Sequence, residues 1–366
     1  MKKQVALIGI SGFGGTHLNH LLALEKDGLL DIAAVVIRSR ELEADQLALL
    51  DGHNTRVYLD ADEFFAAEAG KIDMVCLPTS IDSHEPFVIK ALNAHMNVLV
   101  EKPVSGSATS VERMIAAEKA SDRFVAVGFQ HFYAPEMVFF RELLLSGRLG
   151  KVVDCAATAC WPRNDGYYAR NNWSAKRSVN GVQILDSPLN NACAHYLNIL
   201  LFLNSTRRGV TAKAVDVSGK LLRARSEIEM FDTCDLLYTL DNGVTARTAF
   251  THSCAKFDDA RIFVACEKGA ISWTGNSDWV VYGEEKNIIA QGKAVYPGET
   301  MFRRVVAKLY YPSVEVYTLT NGMEHIRCVE MADAKCPIEN VASEKIDGVC
   351  VVKGIEELID SRKLVF

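Results

Sequence analysis

Over the first 130 residues, short β-branched runs alternate with longer stretches of helical period. Val5–Ile8, Ile32–Ile37, Met74–Leu77, Val98–Val100 and Phe124–Val127 predict strands, with amphipathic segments between them. Val5-Ala6-Leu7-Ile8 and Ala33-Ala34-Val35-Val36-Ile37 are apolar without interruption, as strands covered on both faces are. Strand and helix in repetition predict a doubly wound parallel sheet. Beyond residue 130 the texture changes: a helix is predicted over Pro135–Leu145, then a loop rich in Asn, Arg and aromatic residues, then a helix from about Asn191 to Leu203. Strands dominate after it. Leu236–Leu240 and Val244–Phe250 flank Asp241-Asn242-Gly243, whose Asn-Gly pair suits the positive φ angles of a tight hairpin. The expected class is α/β: a parallel doubly wound domain over 1–130 and an α+β domain over 131–366 with a largely antiparallel, open-faced sheet. A length of 366 residues agrees with two domains at roughly 150 residues each.

Composition narrows the function classes. Forty basic residues against forty-six acidic leave a net charge of −6, so there is no global positive field to condense on nucleic acid or an anionic membrane. No apolar stretch reaches the roughly 18 residues of a membrane span, and the apolar start at Val5 runs straight into glycines, so neither a membrane helix nor a signal peptide is expected. Ten cysteines are scattered without a Cys-x-x-Cys pair; they read as reduced thiols of a cytoplasmic protein, with no metal site.

Candidate chemistry begins at Gly9-Ile10-Ser11-Gly12-Phe13-Gly14-Gly15, directly after the first strand and before a helix expected from near Thr16. In the reading G-x-x-G-x-x-G, Gly9 permits a tight turn, Gly12 lets backbone approach a pyrophosphate, and Gly15 lets helix and strand pack closely. The second strand ends in Ile37-Arg38-Ser39-Arg40, without the acid that usually takes the ribose hydroxyls of NAD. Arg38 and Ser39 suit a 2′-phosphate and favour NADP over NAD, unless Arg38 and Arg40 merely solvate a loop. Glu101-Lys102-Pro103 stands at the carboxyl end of a predicted strand, where open α/β sheets collect their ligands.

Gly9–His17, Glu101-Lys102-Pro103, Val127-Gly128-Phe129-Gln130 and Ser146-Gly147-Arg148-Leu149-Gly150, in that order, resemble the Gfo/Idh/MocA oxidoreductases. The resemblance implies a Rossmann domain followed by a substrate-binding and oligomerisation domain. It implies that Lys102 lies between nicotinamide and substrate, that Pro103 follows a cis peptide, and that Phe13, Gly14, Pro78, Thr79, Glu101 and Gln130 border the cofactor. The interval from Pro78-Thr79 to His84 is longer than in the family, and His84 reads as a helix-start residue. The Lys102 ammonium can bond the reacting hydroxyl and take part in proton transfer.

The family's second signature, an Asp four residues before a His, is matched at Asp186 but carries Asn190 in the histidine position. An amide orients hydroxyls yet takes up no proton near pH 7. His195, four residues past Asn191 on the predicted helix, is either a second proton-transfer candidate or a packing histidine. The aromatic and amide-rich loop from Trp161 to Trp173, with Arg163 and Tyr168, suits a sugar, or else an oligomer contact.

Together these readings lead to an NAD(P)-dependent dehydrogenase or reductase of a sugar, inositol or related polyol, assembled as a homodimer or homotetramer. Two rivals stay open: a relative that cleaves glycosides by transient oxidation without net redox, and a non-catalytic dinucleotide or sugar sensor.

Overall fold

The computed structural model describes residues 2–364. In chain order, strands β1 (Lys3–Ile8), β2 (Leu30–Val36), β3 (Arg56–Tyr58), β4 (Met74–Leu77), β5 (Asn97–Val100) and β6 (Val125–Val127) form one sheet in the order β3-β2-β1-β4-β5-β6. Every pair in it is parallel. The four central strands are buried almost throughout, which is why they read as unbroken apolar runs. Strand β3 left no such run because it is a three-residue edge strand with no fully buried residue. It is held by pairing to β2 and by Glu68, whose carboxylate takes bonds from Arg56 and Tyr58.

The first compact unit comprises the chain as far as Ser105, Thr109–Gln130 and, where a single boundary near residue 130 was expected, Pro297–Gly322. The helix Gly298–Tyr310 packs on the helix Phe13–Lys26. Phe302 lies edge-on to His17, Arg303 pairs with Asp27, and the Tyr310 hydroxyl donates to Leu29 O. These contacts join positions almost 300 residues apart in the chain, beyond the reach of any local pattern.

The second unit comprises Gly106–Ala108, His131–Tyr296 and the chain from Met323 onward. Its strands are β7 (Val152–Cys160), the two-residue pair β8 (Ser178–Val179) and β9 (Val182–Gln183), β10 (Ala214–Arg223), β11 (Thr233–Leu240), β12 (Thr245–Thr251), β13 (Asp258–Cys266), β14 (Gly269–Thr274), β15 (Asp278–Tyr282), β16 (Ile288–Lys293), β17 (Ile338–Asn340) and the hairpin pair β18 (Glu344–Ile346) and β19 (Val349–Val351). Nine of them form a mixed, largely antiparallel sheet in the order β16-β15-β14-β13-β7-β12-β11-β10-β17. Only β7 with β12 and β10 with β17 run parallel. The β11–β12 turn uses one positive φ, at Gly243, rather than two, with Gly243 N donating to Leu240 O.

The predicted helix Pro135–Leu145 forms with those bounds, and Ala194–Leu203 is buried along its whole length. Met137, Phe140, Leu197 and Leu200 share one core with Leu236, Tyr238 and Trp273 of the sheet. The sheet's other face carries Thr158, Asp235, Arg247, Arg261 and Ser272 and is crossed by the C-terminal helix Ile355–Asp360. That helix is six residues long. Its Ile355 and Ile359 pack on Cys160, Ala249 and Cys254, while Arg362 and Lys363 pair with Asp235 and Asp258. The face expected to be open is therefore partly closed by the chain's own end. Among the described residues no helix is long and apolar enough to cross a membrane, and no group of three His, Cys, Asp or Glu side chains is placed to hold a metal.

His252, directly after β12, is 2% exposed, and burial, reinforced by Arg163 and Arg170, holds its pKa well below the ordinary 6.5. It is neutral when folded and takes up a proton near pH 6.5 when unfolded, so its contribution to stability is lost as pH falls below 6.5. Urea unfolding of this unit should show wild-type stability falling relative to His252→Phe by up to about 1.4 kcal/mol per pH unit between pH 6.5 and 5. Parallel pH profiles for the two proteins would contradict a buried neutral imidazole.

Candidate active site

In the first unit, the glycine turn joins β1 to the helix Phe13–Lys26, which starts three residues earlier than its sequence suggested. Gly9 and Gly12 have φ of 85° and 57°, and nothing lies within 4 Å of where their Cβ atoms would stand. Gly12 caps the helix without a side-chain bond, and no acidic residue occupies the first turn. The helix start thus presents N–H groups and its positive dipole end to an anion. Close packing falls on Gly14: a Cβ there would be 2.2 Å from Gly9 O, whereas at Gly15 the nearest atom, Ile10 O, is 3.6 Å away. With Gly14 as the packing glycine the turn reads Gly9-x-Ser11-x-x-Gly14, so Ser11 holds the middle position. Open backbone at an uncapped helix start fits a dinucleotide pyrophosphate. Phe13 is half exposed at this helix start, and the Cγ of Pro78 lies 3.5 Å from the Gly14 Cβ position.

Beyond β2, Arg38 joins a local hydrogen-bond network although its side chain is 74% exposed. Its Nε lies 3.3 Å from Glu43 Oε1 and its Nη2 donates to Ser11 Oγ at 3.2 Å. Glu43 is 1% exposed and also accepts from Ser11 Oγ and from Ser39 N. Sequence reasoning missed this acid because it follows the strand end by seven residues. A loop in which Glu43 N donates back to Ser39 O returns it to the turn.

At the end of β5, Glu101 is buried, with Oε1 2.9 Å from His17 Nε2 and Oε2 accepting from Lys102 N at 3.0 Å. Gly128 leaves room for this carboxylate, since a Cβ there would lie 2.7 Å from Oε1. Lys102 is half-buried, and the Lys102–Pro103 peptide is cis, as the resemblance implies. His84 is buried inside the helix Ile81–Asn93, with Nδ1 3.1 Å from Pro103 O and Nε2 3.1 Å from Thr79 O. Burial lowers its pKa. It therefore supports the segment that follows Lys102. Thr79 Oγ1 accepts from Ser83, and Gln130 is buried at the start of the turn Gln130–Tyr133.

In the second unit, Asp186 is 3% exposed, with Oδ2 accepting from Ala175 N at 2.5 Å and Oδ1 from Asn191 Nδ2 at 2.8 Å. Asn190 differs from expectation. It is fully buried; its Nδ2 donates to Ile184 O and its Oδ1 lies 3.3 Å from His325 Nε2. The cause is local: Pro188–Ala192 is a π-helical turn, with Cys193 N donating to Pro188 O, and the α-helix begins only at Ala194. The wider turn inserts one residue, so Asn191 rather than Asn190 comes beside Asp186. It also removes the continuous helix on which the pairing of Asn191 with His195 rested. His195 is 8% exposed, with its ring edge-on to His131 at 5.1 Å.

The loop after β7 contributes to the same region. The Arg163 guanidinium lies over the Tyr167 ring at 4.6 Å, Tyr167 is edge-on to His252 at 5.5 Å, and Arg170 stands over Tyr167 and Trp173. Burial, and after it the Asp186 charge, raises the Tyr167 pKa. Trp173 N and Ser174 N are turned by Asn171 Oδ1.

Residues 3–129 match the Gfo/Idh/MocA profile described as an oxidoreductase family with an NAD-binding Rossmann fold, and residues 137–272 match the Gfo/Idh/MocA C-terminal domain. The chain belongs to the Gfo/Idh/MocA family. Among curated relatives, inositol 2-dehydrogenase 4 of Saccharopolyspora erythraea is 28% identical over 159 residues, covering 43% of this chain and 46% of that protein. The match thus spans about half of such a relative. Two solved Gfo/Idh/MocA-like folds superpose over most of the chain. Levoglucosan dehydrogenase in complex with NADH has a TM-score of 0.75 at 14% identity, covering 90% of this chain and 96% of that one. The WlbA dehydrogenase of Bordetella pertussis in complex with NADH and UDP-GlcNAcA has a TM-score of 0.73 at 17% identity, covering 93% and 100%. At these identities the likeness is one of fold.

The glycine assignment separates two neighbouring substitutions. Gly14→Ala should weaken NADH binding at least about tenfold in a fluorescence titration and lower the melting temperature, because its methyl meets backbone that cannot give way. Gly15→Ala, in open helical space, should bind normally and gain up to about 1 kcal/mol. The reverse order would return the packing role to Gly15.

Proposed function

We propose that the protein is an NAD-dependent dehydrogenase acting on a hydroxyl-bearing carbon of a sugar, inositol or related polyol. The observation that carries this reading is the placement of Lys102 at the carboxyl end of β5, in the same parallel sheet as the open glycine turn after β1. The curated inositol 2-dehydrogenases and the fold shared with levoglucosan dehydrogenase support it. Bound nicotinamide supplies reversible hydride transfer. The chain's own residues bind and orient: Gly9, Gly12 and the Phe13 amide hold the pyrophosphate, with Gly14 and Gly15 giving the turn its shape and Pro78, Thr79 and Gln130 bordering the cofactor. Lys102 holds the reacting oxygen and moves its proton, Asp186 with Asn191 orients substrate hydroxyls, and His195 is a reserve proton carrier. The reading includes a cytoplasmic homodimer or homotetramer; Val215, Ile288 and Ile289 are exposed apolar side chains of the second unit.

NAD rather than NADP follows from Glu43. A buried carboxylate at the end of β2 repels a 2′-phosphate, and it pairs with the guanidinium that would otherwise receive one.

A panel of polyols and sugars with NAD, read by absorbance of the reduced nicotinamide, should find an oxidised member. Lys102→Met should then lower turnover by roughly 10²–10⁴-fold with NAD affinity nearly unchanged. Release of a free sugar without net reduction would favour the glycoside-cleaving rival; tight NAD binding with no turnover of any compound would favour the sensor. Separately, Glu43→Gln should raise the affinity for NADP relative to NAD at least about tenfold. An unchanged ratio would remove Glu43 as the determinant.

A further inference from the structure

The region next to Asp186 contains a cation without an anion. Arg163 follows β7 by three residues, and its backbone N donates to His252 O. Its guanidinium lies against the rings of Trp161, at 5.6 Å, and Tyr167, at 4.6 Å, and no carboxylate faces it among the described residues. Its Nε is buried without an acceptor, as are Trp161 Nε1 and His252 Nε2. The first two are donors only. Buried polar atoms without partners occur elsewhere in both units, Arg123 Nε and Arg141 Nε among them, but these three share one neighbourhood at the ends of β7 and β12. The other nitrogen of His252 lies 3.5 Å from the Tyr168 hydroxyl, which leaves Nε2 for whatever enters. The nearby acid, Asp186, already accepts from Ala175 and Asn191. Hydroxyl groups alone, each both donor and acceptor, do not call for a charged, donor-only fork; an anionic oxygen group does.

We infer that the substrate carries such a group, a carboxylate or a phosphate, and that Arg163 receives it with His252 and Trp161 completing the subsite. This rests on the dehydrogenase reading and narrows its substrate class from neutral polyols to acidic sugars or sugar phosphates.

The test uses the full chain saturated with NAD and measures melting-temperature titrations, at matched ionic strength, with D-gluconate, D-glucuronate, glucose 6-phosphate and myo-inositol. At least one anionic probe should give a saturable rise. Its identity distinguishes carboxylate from phosphate. Arg163→Gln should weaken that probe at least about tenfold, Arg163→Lys should recover part of the loss, and myo-inositol should respond equally in all three proteins. An unliganded melting temperature for Arg163→Gln equal to wild type excludes misfolding as the cause; if it is lower, the Arg163→Lys comparison carries the test. The inference is overturned if no anionic probe shifts the melt, or if Arg163→Gln leaves every dissociation constant within about twofold. Nicotinamide absorbance separates the two readings. An anion that binds through Arg163 but is never oxidised sinks the dehydrogenase, whereas oxidation of a neutral polyol in preference to every anionic probe sinks the anionic subsite.

Discussion

A buried carboxylate needs partners, and that requirement organises the carboxyl edge of the parallel sheet. Glu101 ends β5 with one oxygen on His17 of the glycine-turn helix and the other on the backbone N–H of Lys102. Gly128, just past β6, is the residue that makes space for it. Three elements that each contribute to a dinucleotide site are thereby referred to one charge. Removing either partner would strand an uncompensated carboxylate in the interior, a larger penalty than losing an ordinary hydrogen bond. Lys102 is positioned as a by-product of burying its neighbour.

The same economy appears where the second unit departs from its family pattern. One π-helical turn between Asp186 and the helix Ala194–Leu203 changes which amide stands beside the aspartate. Asn190, which replaces the family's histidine in linear register, becomes a core residue bridging Ile184 and His325. The replacement of histidine is thus less a lost catalyst than a change of neighbour: at that linear position the side chain satisfies buried backbone, and an amide does so without a proton to titrate.

Local pattern carried far in the first unit because its strands are buried on both faces and its helices turn one apolar face inward. Five of six strands, the helix Pro135–Leu145, the hairpin at Gly243 and the Glu-Lys-Pro segment were all readable for that reason. Boundaries shifted where tertiary contacts extended an element, as when the first helix began at Phe13 instead of Thr16. Strand β3 and the return of Pro297–Gly322 were invisible because short edge strands carry no periodic run and long-range packing has no local signature.

By itself, the order of residues determined the family, the doubly wound sheet, the glycine turn and the place of Lys102 at a strand end, because each depends on neighbours within a few positions. Tertiary structure decided which glycine packs, that Glu43, five residues further on, turns back to hold Arg38, that Asn191 and not Asn190 meets Asp186, and that Arg163 stands among aromatic rings without a counter-charge. These contacts span only about five residues, yet each depends on the conformation of a turn, the π-helical one after Asp186 above all, which residue spacing does not specify, while the packing of Gly298–Tyr310 on the first helix has no local signature at all.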